Sequence, residues 1–176
     1  LANIVLAGGV LRRAASAEQK ERWLQPIIAG ELQAALAYAE PHSRYDIADI
    51  RTTASTDGDN WVLSGSKGVV FNGGNADLLI VPARTAGAQN DADGITLFAV
   101  PADSDGLRVR SYPTVDGQQA AEISFDKVAV DGASIIGEAG KGFAALDAAI
   151  DDATLAVCAE AVGIMQVMAD KTVQYS

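Results

Sequence analysis

The loop His42-Ser43-Arg44-Tyr45-Asp46 follows an apolar run that ends in Ala39-Glu40-Pro41. It sets a fixed positive charge beside a phenolic donor. Such groups at a strand end hold a phosphate or a carboxylate, and loops carry ligand roles disproportionately. The remaining candidates have plainer readings. Gly137-Glu138-Ala139-Gly140-Lys141-Gly142 invites a phosphate-loop reading, but its glycine spacing is too short and Gly142 stands where Ser or Thr is needed. It reads as a turn into a helix. Asp91-Ala92-Asp93-Gly94 has the acidic spacing of a calcium loop without the other ligands or the closing Glu, so a hairpin tip is expected. Asp151 and Asp152 are adjacent on a helical stretch, where side chains diverge by about 100°, so the two cannot face one substrate. His42 has no evident partner and reads as an exposed loop residue.

With His42 and Cys158 the only residues of their types, multi-histidine and cysteine-based metal centres and an internal disulfide are excluded, and a Ser-His-Asp triad is disfavoured. The 176 residues fit about one domain. A hydrophobic content of 49% supports a core. A net charge of −10 argues against nucleic acid or an anionic membrane as partner. Leu1 to Leu11 is apolar, but the basic pair Arg12-Arg13 follows it, the reverse of a signal peptide, and the run is too short to span a bilayer. It reads as a core helix, and a cytoplasmic location is expected.

Three zones position these residues. Helices are expected over 2–13 and 17–29. The second opens on a Ser16–Gln19 capping box, is weakened at Pro26 and is closed by Gly30. Strands are expected at Gln33–Ala39, Arg51–Thr56, Trp61–Lys67, Leu78–Arg84, Gly94–Val100, Leu107–Arg110 and Ala120–Phe125, with a hairpin at Asp57-Gly58-Asp59-Asn60. Their spacing points to a sandwich or barrel, and no helices intervene to build a doubly wound sheet. From Phe143 the chain is Ala-rich and helical to its end. Both ends read as cut, and a helical domain is expected to continue beyond Ser176.

The order of the pieces resembles the acyl-CoA dehydrogenase family over essentially the whole chain. The residues that carry it are Glu18–Leu24, Ala29–Leu32, Ala39-Glu40-Pro41, Gly65-Ser66-Lys67, Asn72-Gly73-Gly74, Ala83-Arg84-Thr85, Gly94–Phe98, Phe125–Val130 and Gly140–Phe143. Ser43–Asp46, Lys67–Val70, Arg84–Gly87, Tyr112-Pro113-Thr114 and Ala120-Ala121-Glu122 are similar to the pimeloyl-CoA dehydrogenase small-subunit branch. The resemblance implies an α+β fold in which a central antiparallel β-barrel is flanked by two incomplete helical domains. The implied boundaries are 1–32, 33–136 and 137–176. It implies FAD, removal of two hydrogens from an acyl-CoA thioester with a dicarboxylyl or other polar tail, electron transfer to an electron-transferring flavoprotein, and a homo- or hetero-oligomer. The alternative is a non-catalytic or half-site partner subunit.

Carried over by position, Leu36, Tyr38, Ala39, Tyr45, Val69, Val70 and Phe71 would face the flavin, and Arg44 and Tyr45 the substrate. The flavin is expected to rest mainly on main-chain groups. Family members typically read Thr-Glu-Pro-Gly-Ala-Gly-Ser-Asp and Trp-Ile-Thr-Asn-Gly, where this chain has Ala39–Asp46 and Val69–Gly73. The Thr and Trp that serve the flavin are therefore replaced. Some relatives place the catalytic Glu at a position matched here by Ala153, followed by Thr154. The base is accordingly expected beyond Ser176, and no catalytic residue is assigned.

Overall fold

The computed structural model describes residues 1–175. Helix α1 (2–14) opens with wide turns over Ala2–Ala7 and tightens over Gly8–Ala14. Helix α2 (17–29) starts at the capping box. Gln19 N donates to Ser16 Oγ at 3.2 Å, and Ser16 N donates back to Gln19 Oε1 at 3.1 Å. Pro26 does not end α2. Wide turns over Lys20–Leu24 lead into Gln25–Ala29, and such turns accommodate a residue without an N–H. Gly30 closes the helix with φ 78°, the left-handed conformation that glycine adopts without penalty.

Eight strands follow: β1 Ala34–Leu36, β2 Thr53–Asp57, β3 Asn60–Phe71, β4 Leu78–Arg84, β5 Ile95–Pro101, β6 Leu107–Pro113, β7 Gln119–Asp131 and β8 Ile135–Ile136. The hairpin falls at the expected place. Asp57 pairs with Asn60, and Gly58 supplies the positive φ at the first central position.

The expected closed antiparallel barrel is not what forms. The strands make one open, mixed sheet in the order β6-β7-β3-β2-β4-β5-β8, with β1 added alongside β4. β1 runs parallel to β4, and β2 meets β4 in parallel at Thr53–Arg84. Hydrophobic alternation reports which face of a strand is buried, not which strand it pairs with, so the two parallel joins and the open edges at β6 and β8 were not readable from it.

Alternation along β4 and β5 explains the layers. Leu78, Ile80, Leu97 and Ala99 face a core built with α1, α2 and the long helix α3 (Phe143–Tyr175), while Leu79, Val81, Phe98 and Val100 face a second core. That second core is closed by Leu63 and Val70 of β3 and by Ala121, Ile123, Phe125, Val128 and Val130 of β7. Helices, the β4–β5 layer and the β3–β7 layer thus stack in that order, and Trp61 meets Phe98 across the inner core with ring centroids 5.6 Å apart.

α3 buries only its first turns, through Leu146, Ala149 and Ala153, and Arg13 ties it to α1 by a 2.6 Å bond to Asp152. Asp151 is exposed, so the two adjacent carboxylates do diverge. No helix among the described residues is long and apolar enough to cross a membrane.

Candidate active site

Two chain segments that are distant in sequence form one wall. After β1, Ala37 N donates to Ile80 O at 2.9 Å, and the chain runs on to Ala39. There Gly68 N, from β3, donates to Ala39 O at 2.9 Å. β3 is irregular at this point: Lys67 lies opposite Ile123 and Val70 opposite Ala121, so Gly68 and Val69 together face Glu122 alone. This is a β-bulge, a device that re-aims a strand beside functional sites. Val69 takes φ 51°, a left-handed conformation that a β-branched residue adopts only under constraint. Val69 is 51% exposed, so little packing is lost on removal of its side chain. Val69→Gly is expected to raise stability by about 0.5–1 kcal/mol, read as a higher urea midpoint at unchanged slope.

The wall is held from behind by a buried ion pair. Lys67 Nζ donates to Glu40 Oε1 at 2.7 Å, with side-chain exposures of 0% and 2%. Glu40 also accepts from Arg51 N at 2.9 Å and Thr52 N at 3.1 Å. Burial alone would push the Glu40 carboxyl up, but the Lys67 charge and these donors outweigh it and hold the group below the usual carboxylate range. Burial pulls the Lys67 ammonium down to about 8 despite Glu40. Composition and spacing carried no role for this pair. The available signal was a lysine four residues after Leu63, on the inward parity of an apolar strand, where a charge needs a partner.

In front of the wall lies a groove of about 260 Å³ lined by Leu1, Leu6, Tyr38, Phe71 and five residues of α3: Ile150, Ala153, Thr154, Val157 and Cys158. No charged side chain lines it. Tyr38 is half-buried, and burial pushes its phenol above the ordinary range, which keeps it a neutral donor.

The sequence-derived candidates divide here. Tyr38 and Phe71 meet in the groove, and Val69 and Ala39 belong to the adjoining wall. The Leu36 side chain is buried toward the helices and that of Val70 toward the inner core, so each can offer a ligand only its main chain. Arg44 is exposed with φ 49°, and Tyr45 is 99% exposed, so neither fills the groove nor lines it. Ala153 and Thr154 do line it, and neither bears a carboxylate.

His42 departs from the exposed-loop reading. Its Nε2 lies 3.0 Å from Asp49 Oδ1 and its Nδ1 lies 3.8 Å from Glu40 Oε2. Gln89 also donates to Asp49, and that bond, ahead of the one from His42, holds the carboxyl below its usual range. The glycine-rich stretch is a junction: Lys141 pairs with Asp93 at 3.0 Å and Gly142 N donates to Ile95 O at 2.8 Å. No cluster of three or more metal-ligating side chains occurs among the described residues.

Residues 35–128 match the family model described as acyl-CoA dehydrogenase, middle domain. The human mitochondrial short-chain specific acyl-CoA dehydrogenase is 31% identical over 171 residues, which are 96% of this chain and 41% of that protein. A solved glutaryl-CoA dehydrogenase from Mycobacterium smegmatis, in complex with FADH2, superposes with a TM-score of 0.78 at 28% identity, covering 86% of this chain and 38% of that one. A chain in the solved structure of the electron transferring flavoprotein of Acidaminococcus fermentans reaches a TM-score of 0.87 at 30% identity, covering 94% and 44%. The chain therefore spans about two fifths of the length of the proteins it matches. Its bulged wall and long helix sit within that shared span, and the chain belongs to the acyl-CoA dehydrogenase family.

Proposed function

We propose that this chain supplies the flavin wall and part of the acyl pocket of an FAD-dependent dehydrogenase acting on an acyl-CoA thioester. The observation that carries the reading is the apolar groove between Tyr38, Phe71 and α3, set beside the wall that the Gly68–Ala39 bond and the Gly68–Val69 bulge build. The residues present fit a flat aromatic ring there. Of the bulky groups that could have blocked it, Arg44 and Tyr45 stand in solvent, Phe71 forms one side of the groove and leaves it open, and Leu36 and Val70 turn their side chains away. A bound flavin would supply the two-electron chemistry, accepting a hydride from the acyl β-carbon.

The chain's own residues bind and exclude water. Tyr38, Phe71 and Ile150 enclose the acyl segment, small Ala153 leaves room beside it, and Ala39 and Val69 contribute the adjoining wall. The uncharged lining favours a neutral acyl tail over a dicarboxylyl one, because a distal carboxylate would find no cation in the groove. Exposed Arg44 suits a solvent-facing phosphate of the carrier. The proton acceptor is assigned beyond Ser176, electrons pass to an electron-transferring flavoprotein, and the working form is an oligomer. The division into 1–32, 33–136 and 137–176 belongs to the same reading.

Val157→Trp, at an exposed position lining the groove, fills it without touching the core and is expected to weaken acyl-CoA binding about tenfold or more, measured by titration of the flavin-loaded protein at its native length. Unchanged affinity would place the acyl segment elsewhere. A second reading, a half-site subunit completed by a partner, is favoured by the absence of a carboxylate at Ala153 and Thr154. Dehydrogenation by this protein purified alone would reject that second reading.

A further inference from the structure

The Glu40–Lys67 pair is more than a core contact. Glu40 directly follows Ala39 and Lys67 directly precedes Gly68, the two residues joined by the 2.9 Å wall bond. The pair and that bond are therefore adjacent cross-links between the same two segments. Pro41 packs over Gly68, 3.5 Å from where a Cβ would stand, and Thr52 Oγ1 reaches Ser66 O at 3.4 Å. Strained backbone persists only where its surroundings over-determine it, and the strained residue, Val69, is two positions from Lys67. Stability alone does not account for the charges, since apolar residues of the same volume commonly serve as well as a buried ion pair.

We infer that the buried Glu40–Lys67 pair is a positioning device that holds the Gly68–Val69 bulge in its left-handed shape and so sets the wall against which the ring lies. The part concerning the ring rests on the flavin reading above. The hold on the bulge does not. Both residues act through the main chain of Ala39, Gly68 and Val69 rather than by touching a ligand.

The test uses Glu40→Gln/Lys67→Met, which removes both charges together and leaves no lone buried ion. Two readouts are taken on the native-length protein. In the flavin-free protein, amide exchange at Gly68 and Val69 is expected to accelerate at least about tenfold while exchange at Leu79 and Val81 stays unchanged. In the loaded protein, the FAD dissociation constant is expected to rise about tenfold with an altered visible band shape. Adding Val69→Gly, which needs no holding, is expected to restore the affinity and the band shape. If the double variant does not fold, Glu40→Asp keeps both charges but shortens the reach, and the same changes are expected.

Unchanged exchange at Gly68 and Val69, in whichever of the two variants folds, overturns the positioning role. Accelerated exchange in a protein that binds no FAD in any form upholds that role and overturns the flavin reading instead.

Discussion

Glu40→Ala is expected to lower the folding free energy by about 3–5 kcal/mol, because it strands the Lys67 ammonium in the core without a counter-charge. Urea unfolding followed by tryptophan fluorescence measures this directly, since Trp61 belongs to the sheet that the pair braces. The double replacement of the preceding section is expected to cost far less, which separates a lone buried charge from loss of the pair.

The same pair sets a pH dependence with a definite sign. The Glu40 carboxyl lies below its usual range in the folded chain, so its contribution is fully present above the ordinary carboxylate value and is lost as pH falls through the folded value. Lys67 runs the other way from most lysines. Its folded value is about 8, whereas an unfolded lysine titrates near ~10.4. The unfolded chain binds more protons between those values, so the cost of burying this ammonium is relieved as pH rises through that window. Lys67→Met should remove that alkaline component of the stability curve.

Arg84→Met is the second large effect, expected at about 3–5 kcal/mol. Arg84 is 7% exposed and ends β4. Its Nη1 donates to Asp91 O and Asp93 O at 2.8 Å, and its Nη2 donates to Ala48 O at 2.8 Å and Gln89 O at 2.7 Å. One guanidinium thereby fastens two loops, residues 46–50 and 86–94, to the end of β4, beside the loop-to-loop bond from Ile50 N to Gln89 O. Nε is buried with no partner in the described structure, so the fork uses four of its five donors. Methionine approximates the volume but takes the guanidinium from Asp91 O and Asp93 O altogether, while Ala48 O and Gln89 O keep only the donor from Ile50 N. Arg84→Lys is not expected to rescue them, because an ammonium cannot reproduce the planar fork. A rise in proteolytic nicking within 86–94, with β4 itself still protected, would locate the damage in the loops.

Much of this architecture was legible because it is written in local chemistry. The Ser16–Gln19 capping box, Gly30 as a left-handed cap, and Asp57–Asn60 as a two-residue hairpin each depend on neighbours a few positions apart, and each formed where expected. Seven strands were placed by their alternation. β8 was not, since Ile135–Ile136 is too short to show a period.

Long-range pairing was illegible for a physical reason: alternation fixes a face, not a neighbour. The parallel addition of β1 to β4, and hence an open sheet in place of a barrel, follows from no local pattern. The site divides similarly. Tyr38 and Phe71 were picked out by their positions in family-like motifs and do meet in one groove, though they lie 33 positions apart in sequence. Arg44 and Tyr45 were picked for their chemistry, and the loop turns them to solvent instead. Lys67 was quoted as part of a motif without a role, because its partner lies 27 positions away. His42 found Asp49 only through the folding of its own loop.

The central claim is that an aromatic ring system rests on the bulged wall beside the groove under α3. Visible absorption of the purified native-length protein, titrated with an acyl-CoA before and after Val157→Trp, tests it most directly. The account predicts about one flavin per chain, a band that bleaches on addition of acyl-CoA, and bleaching that demands a much higher ligand concentration in the variant. A protein that stays colourless with FAD supplied and with its partner present, or a variant that bleaches at the same acyl-CoA concentration as the parent, would contradict it.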